Sequence, residues 1–144
     1  EDDSDFVRIE IHKDGTITDN KTGLMWKAVD SYMELDKWVS WDEAKTYVQD
    51  LNRTRFCGFE NWRMPTRKEA QAIYDASNPV TDNYGDTVFL AKGFPAGSGL
   101  TCWTKTLNKS DKGLAIRFHY YNGDYKWHQI GLRSHGVRAV RDME

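Results

Sequence analysis

The chain predicts an α+β domain in which two short helices pack on small antiparallel sheets. Three observations in its 144 residues carry that expectation. Leu114-Ala115-Ile116-Arg117-Phe118-His119-Tyr120-Tyr121 alternates in the period of a strand and runs into Asn122-Gly123, a strong short-range hairpin signal. Ser40 with Glu43, and Thr66 with Glu69, have the spacing of helix capping boxes, in which hydroxyl and carboxylate each satisfy a free backbone N–H. The composition is globular, 39% hydrophobic and 13% aromatic with six tryptophans, and this length suffices to bury roughly 70% of the unfolded surface.

The elements follow in order. Phe6 to Ile11 alternates apolar with polar, as a half-buried strand should, Asp14-Gly15 signals a turn, and a second strand follows through Ile17. Leu24-Met25-Trp26 reads as another short strand. From Ser40, the residues Trp41, Ala44, Val48 and Leu51 fall on one helical face with Tyr47 beside them, a core stripe. Pro65 pushes Met64 out of helical dihedrals, so the second helix starts at Thr66 and Trp62 and Arg63 sit at a fixed corner. Trp62 brings a large apolar area and one N–H that needs a partner.

Residues 75–100 contain Asn78-Pro79, Asn83, Gly85, Gly93, Phe94-Pro95, Gly97 and Gly99 and read as a long irregular middle loop. After the 114–121 strand and its turn, Tyr125 to Ile130 forms the return strand and Val137 to Val140 a final one. No internal repeat, low-complexity tract or linker divides the chain, which reads as one domain over 1–144.

Net charge is −2, unevenly distributed. Residues 1–50 carry 6 basic and 13 acidic side chains, whereas residues 105–144 carry 8 and 4. This points to an anion-facing surface at one end, unless the two ends neutralise one another across the fold. No apolar run approaches the ~18 residues of a membrane span, so membrane insertion is not expected. The chain begins at Glu1 rather than methionine, which suggests a removed leader or a trimmed chain.

The corner segment Trp62-Arg63-Met64-Pro65-Thr66-Arg67-Lys68-Glu69 resembles the W-R-[LM]-P-[ST]-x-x-E signature of a bacterial family typified by the C-terminal domain of the Legionella collagen-like adhesin. Gly15-Thr16-Ile17 through Thr22-Gly23-Leu24-Met25-Trp26 is similar to that family's opening, and Ser40 to Asn52 to its first helix. Cys102-Trp103-Thr104 resembles its central strand and Val137-Arg138-Ala139-Val140-Arg141 its closing V-R-x-V-R. The likeness spans about nine tenths of the chain. It implies a C-type-lectin-like fold related to formylglycine-generating enzymes, in secreted or surface-attached bacterial proteins. Trp26, Trp41, Trp62, Arg63, Pro65, Thr66, Glu69, Trp103 and Arg138, which lie in these motifs, are expected to be scaffold. Many relatives carry cysteines where this chain has Val48 and Ala139. Cys57 and Cys102 have therefore either taken over a bridge, closing a loop of about 45 residues, or are free thiols; the even count in an exported domain favours the bridge.

Candidate site residues lie in the C-terminal third. Arg117, His119 and Tyr121 share one face of the hairpin, with Lys126 and Trp127 across the turn and Arg133 and His135 beyond it. Rings stack on apolar sugar faces and cations pair with sulfate or carboxylate, so the mixture suits an acidic polysaccharide or another surface polyanion. The plainer reading is a hairpin with one aromatic face in the core and one in solvent. Arg138 and Arg141 are expected to tie the chain end to the acidic N-terminal half. A second class of function is structural: opposite charge on the two ends favours head-to-tail self-association into a trimer or filament. Neither a nucleophile elbow nor a phosphate loop occurs, and the histidines lack zinc spacing, so no enzyme activity, metal or cofactor is expected. Asp82-Asn83-Tyr84-Gly85-Asp86 is oxygen-rich enough to raise calcium, although such residues are also ordinary turn formers. Nucleic acid is not an expected partner.

Overall fold

The computed structural model describes residues 6–82, 85–95 and 100–143. Among the described residues, three antiparallel sheets and three α-helices make an α+β fold. The first sheet has the order β1 (Ile9–Ile11), β2 (Thr16–Asp19), β3 (Leu24–Lys27), β9 (Val140–Asp142). Chain start and chain end thus share one sheet, with Trp26 opposite Val140. Helices α1 (Ser31–Leu35), α2 (Trp41–Arg53) and α3 (Arg67–Ala72) follow β3. A two-stranded sheet joins β4 (Tyr74–Thr81) to β5 (Thr87–Leu90), and the third sheet has the order β6 (Thr101–Leu107), β7 (Leu114–His119), β8 (Tyr125–Gln129).

Both capping boxes form. Ser40 Oγ accepts from the Glu43 N–H at 3.2 Å and Glu43 accepts from the Ser40 N–H at 2.9 Å. Thr66 and Glu69 repeat the arrangement at 3.1 and 2.9 Å. Ala44 and Val48 are buried, with Trp41, Tyr47 and Leu51 packed against the same core. Helix α1 has no counterpart in the sequence reading. At five residues it is too short to show a period, and it rests on the Asp30 cap and a left-handed Asp36 (φ 57°).

The Trp62 corner is stitched on every side. Its indole N–H donates to Phe56 O at 3.1 Å, and the Asn52 amide clamps the Trp62 backbone at 2.7 and 2.8 Å. Arg63 grips Glu69 with two bonds of 2.6 and 2.8 Å, while its backbone exchanges two hydrogen bonds with Val140. The segment therefore joins α2, α3 and β9, and a large side chain fills the junction.

Four expectations need correction. The middle region is not an irregular loop. Residues 74–81 and 87–90 pair as antiparallel strands, because the Asp82 carboxylate accepts the Asp86 N–H at 2.8 Å and closes the turn. Pro79 fits there because a two-stranded ribbon leaves one edge of each strand without ladder bonds. Asn83, Tyr84, Gly97 and Gly99 lie outside the described residues. The final strand starts at Val140, not Val137, since the 136–139 backbone bonds elsewhere: Gly136 O takes the Trp103 N–H and Val137 donates to Ser31 Oγ. The 114–121 strand ends at His119, because Tyr120 leaves the hairpin ladder, bonding Leu100 and Phe89 through its backbone and Ala70 O through its hydroxyl.

The expected disulfide is absent, and both thiols are free. Each sulfur is held by separate partners. Cys57, in a 3₁₀ turn over Phe56–Gly58, donates to Asp14 O at 3.1 Å, whereas Cys102 lies in the core between Trp103 O and the Arg138 N–H. Arg138 and Arg141, expected to pair with the acidic N-terminal half, bond neutral groups of earlier segments. Arg138 donates to the carbonyls of Ala28 and Lys27, and Arg141 bonds Asn61 at 2.8 Å while lying over the Phe59 ring.

Candidate binding site on the third sheet

Strand register sorts the candidate residues. Arg117 stands opposite Lys126 and Trp103, His119 opposite Thr101, and Ala115 opposite His128. Ile116 stands opposite Trp127 and Phe118 opposite Tyr125. Because alternate residues of a strand face opposite ways, Arg117, His119, Lys126 and His128 share one face with Trp103, and Trp127 and Tyr125 occupy the other. The basic-aromatic mixture of the sequence is thus two surfaces.

On the first face three histidines far apart in sequence gather around Arg117. The His119 and His128 rings are 6.0 Å apart and the His128 and His135 rings 5.2 Å. Arg117 donates its Nε–H to His119 Nε2 at 2.8 Å, and its Nη1 lies 3.1 Å from His135 Nδ1. That leaves the His119 Nδ1–H for the Tyr121 oxygen at 3.3 Å, with the Tyr121 ring stacked 5.1 Å above. His135 is fully buried, edge-on to Trp103, with Thr101 Oγ1 and Ser134 Oγ at its nitrogens. Burial and the nearby Arg117 charge push His119 down to about 4 and His135 down to about 3. Burial also lowers His128 and Arg117. At neutral pH the cluster is one guanidinium among neutral imidazoles. Above it opens a cleft of about 680 Å³ walled by Trp38, Thr87, Thr101, Arg117, Tyr121 and Ser134, with Asp86 also on its wall.

The second face carries Tyr125 and Trp127, 39% and 43% exposed. They line a groove of about 520 Å³ with Thr66, Arg67, Lys68 and Thr106, and the Arg67 guanidinium lies 4.7 Å over the Tyr125 ring. A second groove of about 290 Å³ runs between α2 and the corner, walled by Trp41, Trp62, Lys45, Arg63 and Lys105. The Lys105 N–H donates to Pro65 O at 2.8 Å, so the two grooves adjoin across that junction. Among the described residues, five cations and no carboxylate stand on their walls. Lys45, Arg67, Lys68 and Lys105 make no ion pair among the described residues. The opposite side of α2 is mainly acidic, a groove walled by Leu35, Lys37, Asp42, Glu43, Tyr47 and Asp50.

The remaining candidates sit apart. Arg133 is 71% exposed at its side chain and turned to α2, with Nε 3.0 Å from both Glu43 oxygens. His135 supports Arg117 from below. The sequence reading missed Arg67, Lys68, Lys45 and Lys105, which lie in or beside motifs that read as scaffold. Among the described residues no group of three or more His, Cys, Asp and Glu is placed to hold a metal ion.

The fold is α+β with a cation-lined surface beside exposed aromatic rings, and the sequence comparison assigns its family. The chain belongs to the Lcl C-terminal domain family, whose profile matches residues 15–141. The family suggests an adhesin-related C-terminal domain and an extracellular setting. No helix among the described residues is long and apolar enough to cross a membrane. No curated protein and no solved structure matches the chain.

Proposed function

We propose that this domain is a secreted or surface-displayed binding module of C-type-lectin-like descent that recognises acidic polysaccharide by contact, without chemistry. The paired grooves carry the reading: in a protein of net charge −2, five cations and no carboxylate among the described residues wall a surface with two exposed aromatic rings. Leaving four cations without ion pairs keeps them available for sulfate or carboxylate, and Trp127 offers a flat apolar face for a sugar ring. The test is heparin binding measured across a salt series. Affinity should fall steeply with salt, because exposed charges are screened over ~8–10 Å. The Lys68→Glu/Lys105→Glu double variant should bind at least tenfold more weakly. Salt-independent binding, or an unaffected double variant, would refute the reading.

The acidic groove on the other side of α2 supports a second reading, head-to-tail self-association of basic on acidic grooves. Under that reading the same charge reversal dissolves an assembly seen in sedimentation without any sugar.

A further inference from the structure

The Arg117 cleft lies on the sheet face away from the paired grooves and uses none of their residues. We propose that it is a preformed site for one small carboxylate-bearing polyol, a sugar acid, with Arg117 as the anchor. The inference does not rest on the polysaccharide reading.

The argument starts from charge. Placing a guanidinium under partial burial costs free energy unless an opposite charge compensates it. Arg117 receives hydrogen-bond acceptors from His119 and His135, but these imidazoles are neutral and supply no counter-charge. No carboxylate pairs with it among the described residues, and its Nη2 has no protein partner there. The two histidines fix the guanidinium plane, one at Nε and one at Nη1, and leave Nη2 without a protein partner among the described residues, on a side chain that lines the cleft. A planar, pre-oriented fork with its charge uncompensated is suited to a carboxylate.

The rest of the wall narrows the class. Thr87 adds a hydroxyl that can donate to and accept from a polyol, the Thr101 and Ser134 hydroxyls, held at His135, keep lone pairs for it, and Asp86 adds an acceptor. Trp38 and Tyr121 give two aromatic walls, and the volume falls in the ~300–1,000 Å³ range of small-ligand sites. A phosphate dianion would call for a second cation or a nest of backbone N–H groups; Arg117 is the one cation on this wall among the described residues. His119 and His135 are positioning residues, because they act through Arg117.

The experiment titrates glucuronate, with glucose as the neutral control, into the whole protein while the histidine ring resonances are followed by NMR. Glucuronate should move the His119 and His135 signals saturably and glucose should not. Arg117→Gln should weaken glucuronate at least tenfold, and Arg117→Lys, which keeps the charge and loses the fork, should not restore it. Tyr121→Ala, at an exposed ring, should weaken binding without touching the core. Lys68→Glu/Lys105→Glu should leave glucuronate unchanged even where it abolishes heparin binding, which separates the two sites. Equal response to glucose, no saturable shift at millimolar glucuronate, or shifts confined to Trp127 would overturn the assignment.

Discussion

Arg117 and Trp127 lie on adjacent strands, and their surroundings differ by one step of strand alternation. Arg117, Trp103 and His119 face inward under residues 134–138, where polar groups are held by other side chains and backbone: indole N–H to Val39 O, guanidinium to imidazole, imidazole to hydroxyl. Trp127 and Tyr125 face α3, where rings stand nearly half exposed beside cations without ion pairs. The same residue types thus build a fixed, pre-oriented cleft on one face and an open, screened surface on the other. The difference lies in what covers each face, not in composition.

The sharpest way to break this contrast is to truncate one tryptophan from each side. Trp103 is fully buried, so Trp103→Ala should cost about 3–5 kcal/mol through the cavity left behind, and it also leaves Val39 O without its donor. Trp127→Ala should change stability by no more than about 0.5 kcal/mol, while heparin binding weakens. Denaturant melts of the two variants decide it. Equal losses would mean that Trp127 is core and that the second face is no binding surface.

Acid should act on the first face alone in its upper range. His119 and His135 ionise near 4 and 3 in the fold against an ordinary 6.5, so the unfolded chain takes up protons first. Stability is therefore fully present above about pH 6.5 and drains as pH falls toward those values, by up to about 1.4 kcal/mol per pH unit for each histidine. The leg between about pH 6.5 and 4.5 precedes most carboxylate titration and belongs to the histidines. His135→Gln should flatten that leg in urea melts taken across the range. An unchanged slope would mean that these imidazoles are hydrated in the native state.

What could be read before the structure divides along the same physical line. The capping boxes and the core stripe of α2 are local, periodic signals, and they formed as expected around Ser40, Thr66, Ala44 and Val48. Thr66→Ala should accordingly cost about 1 kcal/mol as a lost cap, a moderate loss in the same melts. The β4-β5 ribbon was obscured because its Pro79 and surrounding turn formers carry no clean alternation. The histidine cluster was unreadable because His119, His128 and His135 meet only through the β7-β8 register and the parallel bridge of Cys102 with Gly136. The cysteine pairing failed for the converse reason: an even count says nothing about where two side chains point, and each sulfur here has its own partners. The groove cations were hidden in plain view, since Arg67 and Lys68 sit within a motif that reads as a helix start.

The smallest expected effect tests the boundary of the second face. Arg133 belongs by sequence to the basic C-terminal third, yet its guanidinium is turned to Glu43 and lies in neither groove. The hydrogen bond from Arg133 holds Glu43 near 2, but both groups are solvated, and exposed ion pairs contribute little to stability. Arg133→Gln should therefore leave the melting temperature unchanged and heparin affinity within about twofold, as expected for one solvated charge outside the contact. Lys68→Glu, an equally exposed change inside the groove, should cost several-fold in the same titration. If Arg133→Gln instead weakens heparin as much as Lys68→Glu does, the anionic chain reaches past α2. The binding surface would then follow net charge across the C-terminal third rather than the groove walls.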